Sequence, residues 1–182
     1  LMITAFLFVA LLQILVPAKM ILDREEILNS GKEWKFRTAP LDPSDAFRGK
    51  YLTLSFKESV FQTSNSDNLN WDKDEPVYLI LSNDTDGFAK IISENKTKPS
   101  ESTDFLTAKV DYFYDNNKKL FLTLPFDRYY VEESKAEDAE NKFNESLKDT
   151  NTVTYGIVMI KNGDAVLKDI IIGGVSVNEA IK

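Results

Sequence analysis

The sequence has no cysteine and no histidine. The first absence removes disulfides, thiolate nucleophiles and sulfur-ligated metals, while leaving cytosol and periplasm equally open as compartments. The second removes the Ser-His-Asp and Cys-His arrangements of nucleophilic catalysis and the histidine-bearing zinc sites. Only carboxylate, Ser/Lys, tyrosine or oxygen-ligated metal chemistry is left for an enzyme. Positive charge is also scarce: 22 Lys and Arg stand against 29 Asp and Glu, a formal net charge of −7. The field of the whole protein repels phosphate backbones, so nucleic acid is not an expected partner.

What is present is an apolar start followed by a β-rich chain. At 182 residues and 43% apolar content, the sequence suffices for one folded domain with a hydrophobic core. Leu1 to Val16 carries no charge, and the apolar character continues past Pro17 and Lys19 to Leu22. That run approaches the ~20 residues a membrane-spanning helix needs. An uncleaved anchor is the first reading; the apolar region of a signal peptide and a helix buried in a core or a partner are its rivals. Orientation is not legible from charge. Met20 to Asn29 continues as a helical neck, with Gly31 as its expected terminator and a kink expected at Pro17. The resulting division is an anchor or signal-like helix over 1–22, a membrane-proximal neck over 23–33 and a single β-rich domain over 34–182.

The chain turns from neck to domain in Pro40 to Phe56, PLDPSDAFRGKYLTLSF. Pro40 and Pro43 stiffen the corner and extend the residues before them, while Asp42 and Asp45 suit turn hydrogen bonds. Leu52, Leu54 and Phe56 then alternate with Thr53 and Ser55 as a core strand, and Tyr51 stands large on the polar side. The stretch Gly49-Lys50-Tyr51-Leu52-Thr53-Leu54-Ser55-Phe56 resembles the motif of the GDYXXLXY family of bacterial membrane-anchored proteins. Gly49, Tyr51 and Leu54 match; Lys50 replaces aspartate and Phe56 replaces tyrosine, which argues against a task needing that carboxylate or hydroxyl. Asp42-Pro43, Phe47-Arg48, Leu124-Pro125-Phe126 with Arg128-Tyr129-Tyr130 and Glu132, and the hairpin at Asn162-Gly163-Asp164 extend the resemblance over most of the chain after about residue 30. The resemblance implies an address, the bacterial inner membrane with the folded domain on the periplasmic side, and no activity.

The rest reads as strands and reversals. Trp34 to Arg37 suggests a first strand. Lys57 to Lys73 reads as a long polar loop in which Phe61 and Trp71 either form an exposed contact surface or pin the loop to the core. Val77 to Leu81 is apolar on both faces, as an interior strand should be, and Ser82 to Gly87 turns it into Phe88 to Ile92. Asp84 and Asp86 suit that turn better than a calcium loop, whose other ligands are missing. Thr103 to Tyr114 alternates, placing Leu106, Ala108, Val110, Tyr112 and Tyr114 on one face, and Leu120 to Leu124 returns antiparallel. Ser134 with Glu137 has capping-box spacing ahead of an amphipathic helix with Ala136, Ala139, Phe143 and Leu147 on its apolar stripe. Asn162-Gly163 joins Thr150–Ile160 to Asp164–Ile172, with one register adjustment, and a short strand and tail close the chain. The expected fold is mainly β (α+β): an antiparallel sheet or partly open barrel with one docked amphipathic helix and an N-terminal hydrophobic helix.

Function is least legible. The leading expectation is a non-enzymatic envelope accessory or binding domain that meets the membrane through its N-terminal segment and acts through an integral membrane or envelope protein. Candidate binding residues are Arg48, Phe61, Trp71, Arg128, Tyr129 and Tyr130, with the partner reached by a sheet edge or the Phe61/Trp71 loop. No cofactor and no metal are expected, and the oligomeric state is open. The alternatives are a small-ligand sensor with a pocket lined by some of Tyr51, Tyr112, Phe126, Arg128 and Tyr130, a Ser/Lys hydrolase at Ser55 with Lys50 or Lys57, or a carboxylate enzyme pairing Asp42 or Asp45 with Asp111 or Glu132.

Overall fold

The computed structural model describes residues 2–40, 51–63, 71–100, 102–148 and 152–180. A 29-residue helix, α1 (Met2–Ser30), runs through Pro17 without interruption. Among the described residues it is the one helix long and apolar enough to cross a membrane, and none of its most apolar stretch is buried. The helix stops at Gly31, though not by a left-handed turn, since Gly31 is absent from the positive-φ glycines. A Cβ at Gly31 would lie 2.5 Å from the Ile27 carbonyl and 3.2 Å from the backbone of Ile160. The residue is small first because its own helix leaves no room, and the strand closes the space further.

Two five-stranded sheets follow. The first runs β12 (Val175–Ser176), β11 (Asp164–Ile172), β10 (Thr154–Lys161), β1 (Lys32–Ala39) and β3 (Ser55–Phe56) in spatial order. The second runs β4 (Val60–Gln62), β8 (Lys119–Thr123), β7 (Phe105–Tyr114), β5 (Pro76–Asn83) and β6 (Ala89–Asn95). A two-stranded ribbon pairs β2 (Tyr51–Thr53) with β9 (Arg128–Tyr130). All these ladders are antiparallel. The chain passes from the first sheet to the second through β3, a 3-10 turn (Lys57–Ser59) and β4, so the sheets are continuous along one side. On the other side β12 and β6 end them, leaving a partly open β architecture.

One core fills the space between. Trp34 and Phe36 from β1 meet Val77 and Leu79 from β5 and Leu106 and Val110 from β7 in a single buried cluster. Phe126 completes it: its ring centre lies 5.0 Å from that of Phe36 and 5.2 Å from that of Phe56. The strand expected over Tyr51 to Phe56 is divided at Leu54, whose N–H donates to the Asp127 carbonyl at 2.8 Å. Its alternation survives the break, for Leu52, Leu54 and Phe56 are all buried. The supposed loop after it is ordered at its start as the 3-10 turn and β4.

The alternation of β7 fails after Val110. Val110 pairs with Leu122 but Tyr112 pairs with Phe121, so Asp111 is an extra residue in the ladder, a β-bulge. The bulge turns Tyr112 and Tyr114 outward, 57% and 42% exposed, and directs Phe113 against the core. The β10–β11 hairpin carries the expected adjustment, with Ile157 opposite Asp169 and Val158 opposite Leu167.

Helix α2 (Ala136–Lys148) follows a 3-10 turn (Glu133–Lys135) that contains Ser134, so the expected cap falls inside the turn. Ala139 and Phe143 of its stripe are buried; the side chains of Ala136, Glu137 and Leu147 lie outside the described residues. Buried Ser146 anchors the helix, accepting from Thr154 Oγ1 at 3.0 Å and donating to the Phe143 carbonyl at 2.7 Å. In place of the expected tail, the chain ends its described part in a short helix, α3 (Val177–Ala180).

Candidate functional site

Of the candidate binding residues, Arg128 and Tyr130 are brought together on the ribbon. Tyr51 pairs with Tyr130 and Thr53 with Arg128, so by strand alternation their side chains share one face. The Tyr51 and Tyr130 ring centres are 5.6 Å apart, and Arg128 Cζ stands 5.1 Å from the centre of the Tyr51 ring. Tyr130 is 69% exposed. This is an amphipathic aromatic surface with a cation held against it, a type of surface suited to protein contact.

Tyr129 belongs to the opposite face. It is buried beside Leu52, its cross-strand neighbour. Its hydroxyl donates to Asp169 Oδ1 at 3.1 Å and accepts from Asn178 Nδ2 at 2.7 Å. Asp169 Oδ1 also accepts from Ser176 Oγ and from the Ile170 N–H. Burial, then the Asp169 carboxylate, pushes the Tyr129 phenol up to about 12. It stays a neutral donor and ties the ribbon to the last strand and helix.

Trp71 is also inside, 7% exposed, so of the two readings of Phe61 and Trp71 it is the one that pins the loop to the core, and not the exposed surface, that the fold adopts. The Lys96 ammonium lies 4.7 Å over its ring and is itself paired with Glu75 at 2.8 Å. Phe61 packs partly buried against the core. Arg48, and with it Gly49, lies outside the described residues; Tyr51, Leu54 and Phe56 of the family motif are the ribbon residue and two core residues just described.

Among the described residues, the five side chains named for a ligand pocket do not all come together. Phe126 is in the core and Tyr112 stands on the outer face of the second sheet, so they do not join Tyr51, Arg128 and Tyr130 in one pocket. Asp42, Asp45 and Lys50 lie outside the described residues, Asp111 faces Lys73 at 3.8 Å and Glu132 faces Lys135 at 3.8 Å. Among the described residues no group of three or more His, Cys, Asp or Glu could hold a metal ion.

A polar cluster that the sequence did not reveal sits on the outer side of β1. Arg37 pairs with Asp84, reaches Asp86 Oδ2 at 2.9 Å and lies 3.8 Å over the Phe88 ring. Asp84 Oδ1 meanwhile accepts from the N–H groups of Asp86 and Phe88, which is the turn role expected of it. The Arg37 hydrogen bond, chiefly, holds its carboxyl below the usual range. Beside them Glu58, in the 3-10 turn, buries Oε2 without a hydrogen-bond partner. Burial pushes its carboxyl up to about 7, with Arg37 opposing the shift.

The described cavity lies between the neck and the sheets and encloses about 620 Å³. Met20, Asp23, Arg24 and Ile27 of α1 form one wall. Thr107 and Lys109 of β7, Leu124, and the Gly163–Asp164 turn contribute to the other. The turn is tied in place by the Thr107 N–H, which donates to the Gly163 carbonyl at 2.8 Å.

Fold and site together define a class: a mainly β protein attached to a long apolar helix. Within that class the assignment is specific. The chain belongs to the GDYXXLXY family, whose model, described as GDYXXLXY protein, matches residues 13–170. No curated protein and no solved structure matches the chain.

Proposed function

We propose that this protein is a non-enzymatic accessory domain of the bacterial envelope, held at the inner membrane by α1 with its folded part on the periplasmic side, and that it acts by binding an envelope protein. The observation that carries this reading is the apolar helix with no buried residue in its most apolar stretch, running without a break into a neck pinned to the sheet. Its part from Met2 to Leu22 is about 30 Å long, the thickness of a bilayer's hydrocarbon core. A short, attached neck keeps the domain at the membrane surface, where integral membrane proteins are within reach. The face of Tyr51, Arg128 and Tyr130 is the contact surface this reading favours, because tyrosine and arginine supply rigid area and directed hydrogen bonds at interfaces.

Mild crosslinking of the full-length protein in its native membranes tests the partner. A protein captured by the wild type and lost on Arg128→Ala with Tyr130→Ala supports the reading; the same capture by both sinks the proposed face. The lack of cysteine makes the orientation testable with no background. Asn116→Cys, on an exposed reversal, should react with a membrane-impermeant maleimide in intact spheroplasts; reaction only after lysis overturns the periplasmic placement.

A further inference from the structure

The cavity between neck and sheets is unusual in where it lies along α1. Apolar sequence ends at Leu22, and the helical wall of the cavity, Met20, Asp23, Arg24 and Ile27, straddles that end. On the membrane-anchored reading above, on which this inference rests, the cavity opens at the depth of the lipid headgroups. Its volume of about 620 Å³ lies within the range of small-molecule sites.

Its charges are unequally used. Asp23 is paired with Lys19 at 2.6 Å and Asp127 lies 3.8 Å from Arg128. Arg24 and Lys109, one from the helix and one from the sheet, have no ion pair or side-chain hydrogen bond among the described residues, and neither has Asp164. Two uncommitted cations suit a phosphate, which accepts several charge-assisted hydrogen bonds. An uncommitted carboxylate in the same cavity suits an ammonium that can donate to it. A purely anionic ligand would meet Asp164 and a chain of net charge −7. Apolar Met20, Ile27 and Leu124 give the uncharged part of an amphiphile a surface.

We propose that this cavity seats the headgroup of a bilayer phospholipid carrying a phosphate and a primary ammonium. Arg24 and Lys109 hold the phosphate, Asp164 accepts from the ammonium, and Met20 lies toward the glycerol and the start of the acyl chains. Choline headgroups, whose quaternary nitrogen has no N–H, lack the donor that Asp164 takes.

The test uses the full-length protein in vesicles of equimolar phosphatidylethanolamine, phosphatidylcholine and phosphatidylglycerol, followed by gentle detergent release and native mass spectrometry of the lipids retained. The expected result is selective retention of phosphatidylethanolamine. Arg24→Ala with Lys109→Ala lowers that retention by about tenfold or more, since both charge-assisted contacts to the phosphate are lost. Asp164→Asn keeps a bound phospholipid but erases the preference over phosphatidylcholine. All three side chains lack fold-supporting pairs, so the variants keep the wild-type melting temperature. Equal retention of all headgroups, or retention indifferent to these substitutions, overturns the inference. Free O-phosphoethanolamine that displaces the lipid at equal concentration overturns the bilayer as its source. Alkaline carbonate extraction separates the two readings: a protein that stays in the membrane without lipid preference defeats this inference alone, and one that is washed off defeats the membrane anchor as well.

Discussion

Lys161 Nζ donates to Glu26 Oε1 at 2.6 Å, joining the last residue of β10 to a helix 135 residues earlier in the chain. The same ammonium donates to Ser30 Oγ at 2.8 Å, and Ser30 Oγ donates to the Glu26 carbonyl at 2.7 Å. Together with the close approach at Gly31, this fastens the neck to the sheet beyond the end of the apolar stretch.

Lys161→Glu therefore loosens the neck by setting like charges opposite each other. The pair is largely solvent-exposed, so thermal stability falls by less than about 1 kcal/mol. Trypsin cleavage after Arg24 in the full-length protein should nonetheless rise several-fold. An unchanged cleavage rate would show that packing alone holds the neck.

Among the described glycines, Gly163 is the one least able to accept a side chain. Asn162 and Gly163 both have positive φ, 53° and 90°, as a two-residue hairpin reversal requires. A Cβ at Gly163 would collide with the Phe105 ring and stand 2.5 Å from Thr107 Oγ1. Gly163→Ala should cost about 2 kcal/mol or more, read as a melting temperature lowered by roughly 5 °C. Gly87, also at positive φ but with open space around it, provides the contrast, paying for the backbone alone.

Glu58 sets a pH dependence of definite sign. Its carboxyl holds a proton up to about pH 7 in the folded protein against an ordinary 4.5. Its ionisation opposes folding, so stability is fully present below 4.5 and falls as pH rises through 7, by at most about 3 kcal/mol. Asp84 acts in the other direction and only at the acid end, its contribution being lost as pH falls below the usual carboxylate range. Glu58→Gln should flatten the melting-temperature profile between pH 5 and 8 and leave the variant more stable than wild type at pH 8. A wild-type profile already flat there would refute the assignment.

Adjacent tyrosines should behave oppositely. Tyr129→Phe leaves Asp169 and Asn178 short of a partner and should cost about 1–2 kcal/mol by denaturant titration. Tyr130→Phe, on the exposed ring, should change stability by less than about 0.5 kcal/mol. Equal effects would mean that the ribbon does not face as described.

Local pattern carried much of this fold. The Asn162-Gly163 reversal, the alternation of Leu52, Leu54 and Phe56, the interior position of β5 and the helix with Ala139 and Phe143 inward were all legible, because each depends on residues within one element. The candidate site was legible only in part. Arg128 and Tyr130 do share a face with Tyr51, but Tyr129 was divided from them by the period of a strand, and Trp71 could not be told from an exposed aromatic without its partners.

By itself the sequence determined most of the elements, their antiparallel character and the apolar span, since φ/ψ preference and hydrophobic periodicity act between neighbours. Tertiary structure decided the rest: the bulge that turns Tyr112 and Tyr114 outward, the burial that raises the Glu58 carboxyl, and the cavity that sets Arg24 with Lys109. Each of these depends on chain segments distant in sequence, and burial, cavity and charge environment come into being only when such segments pack.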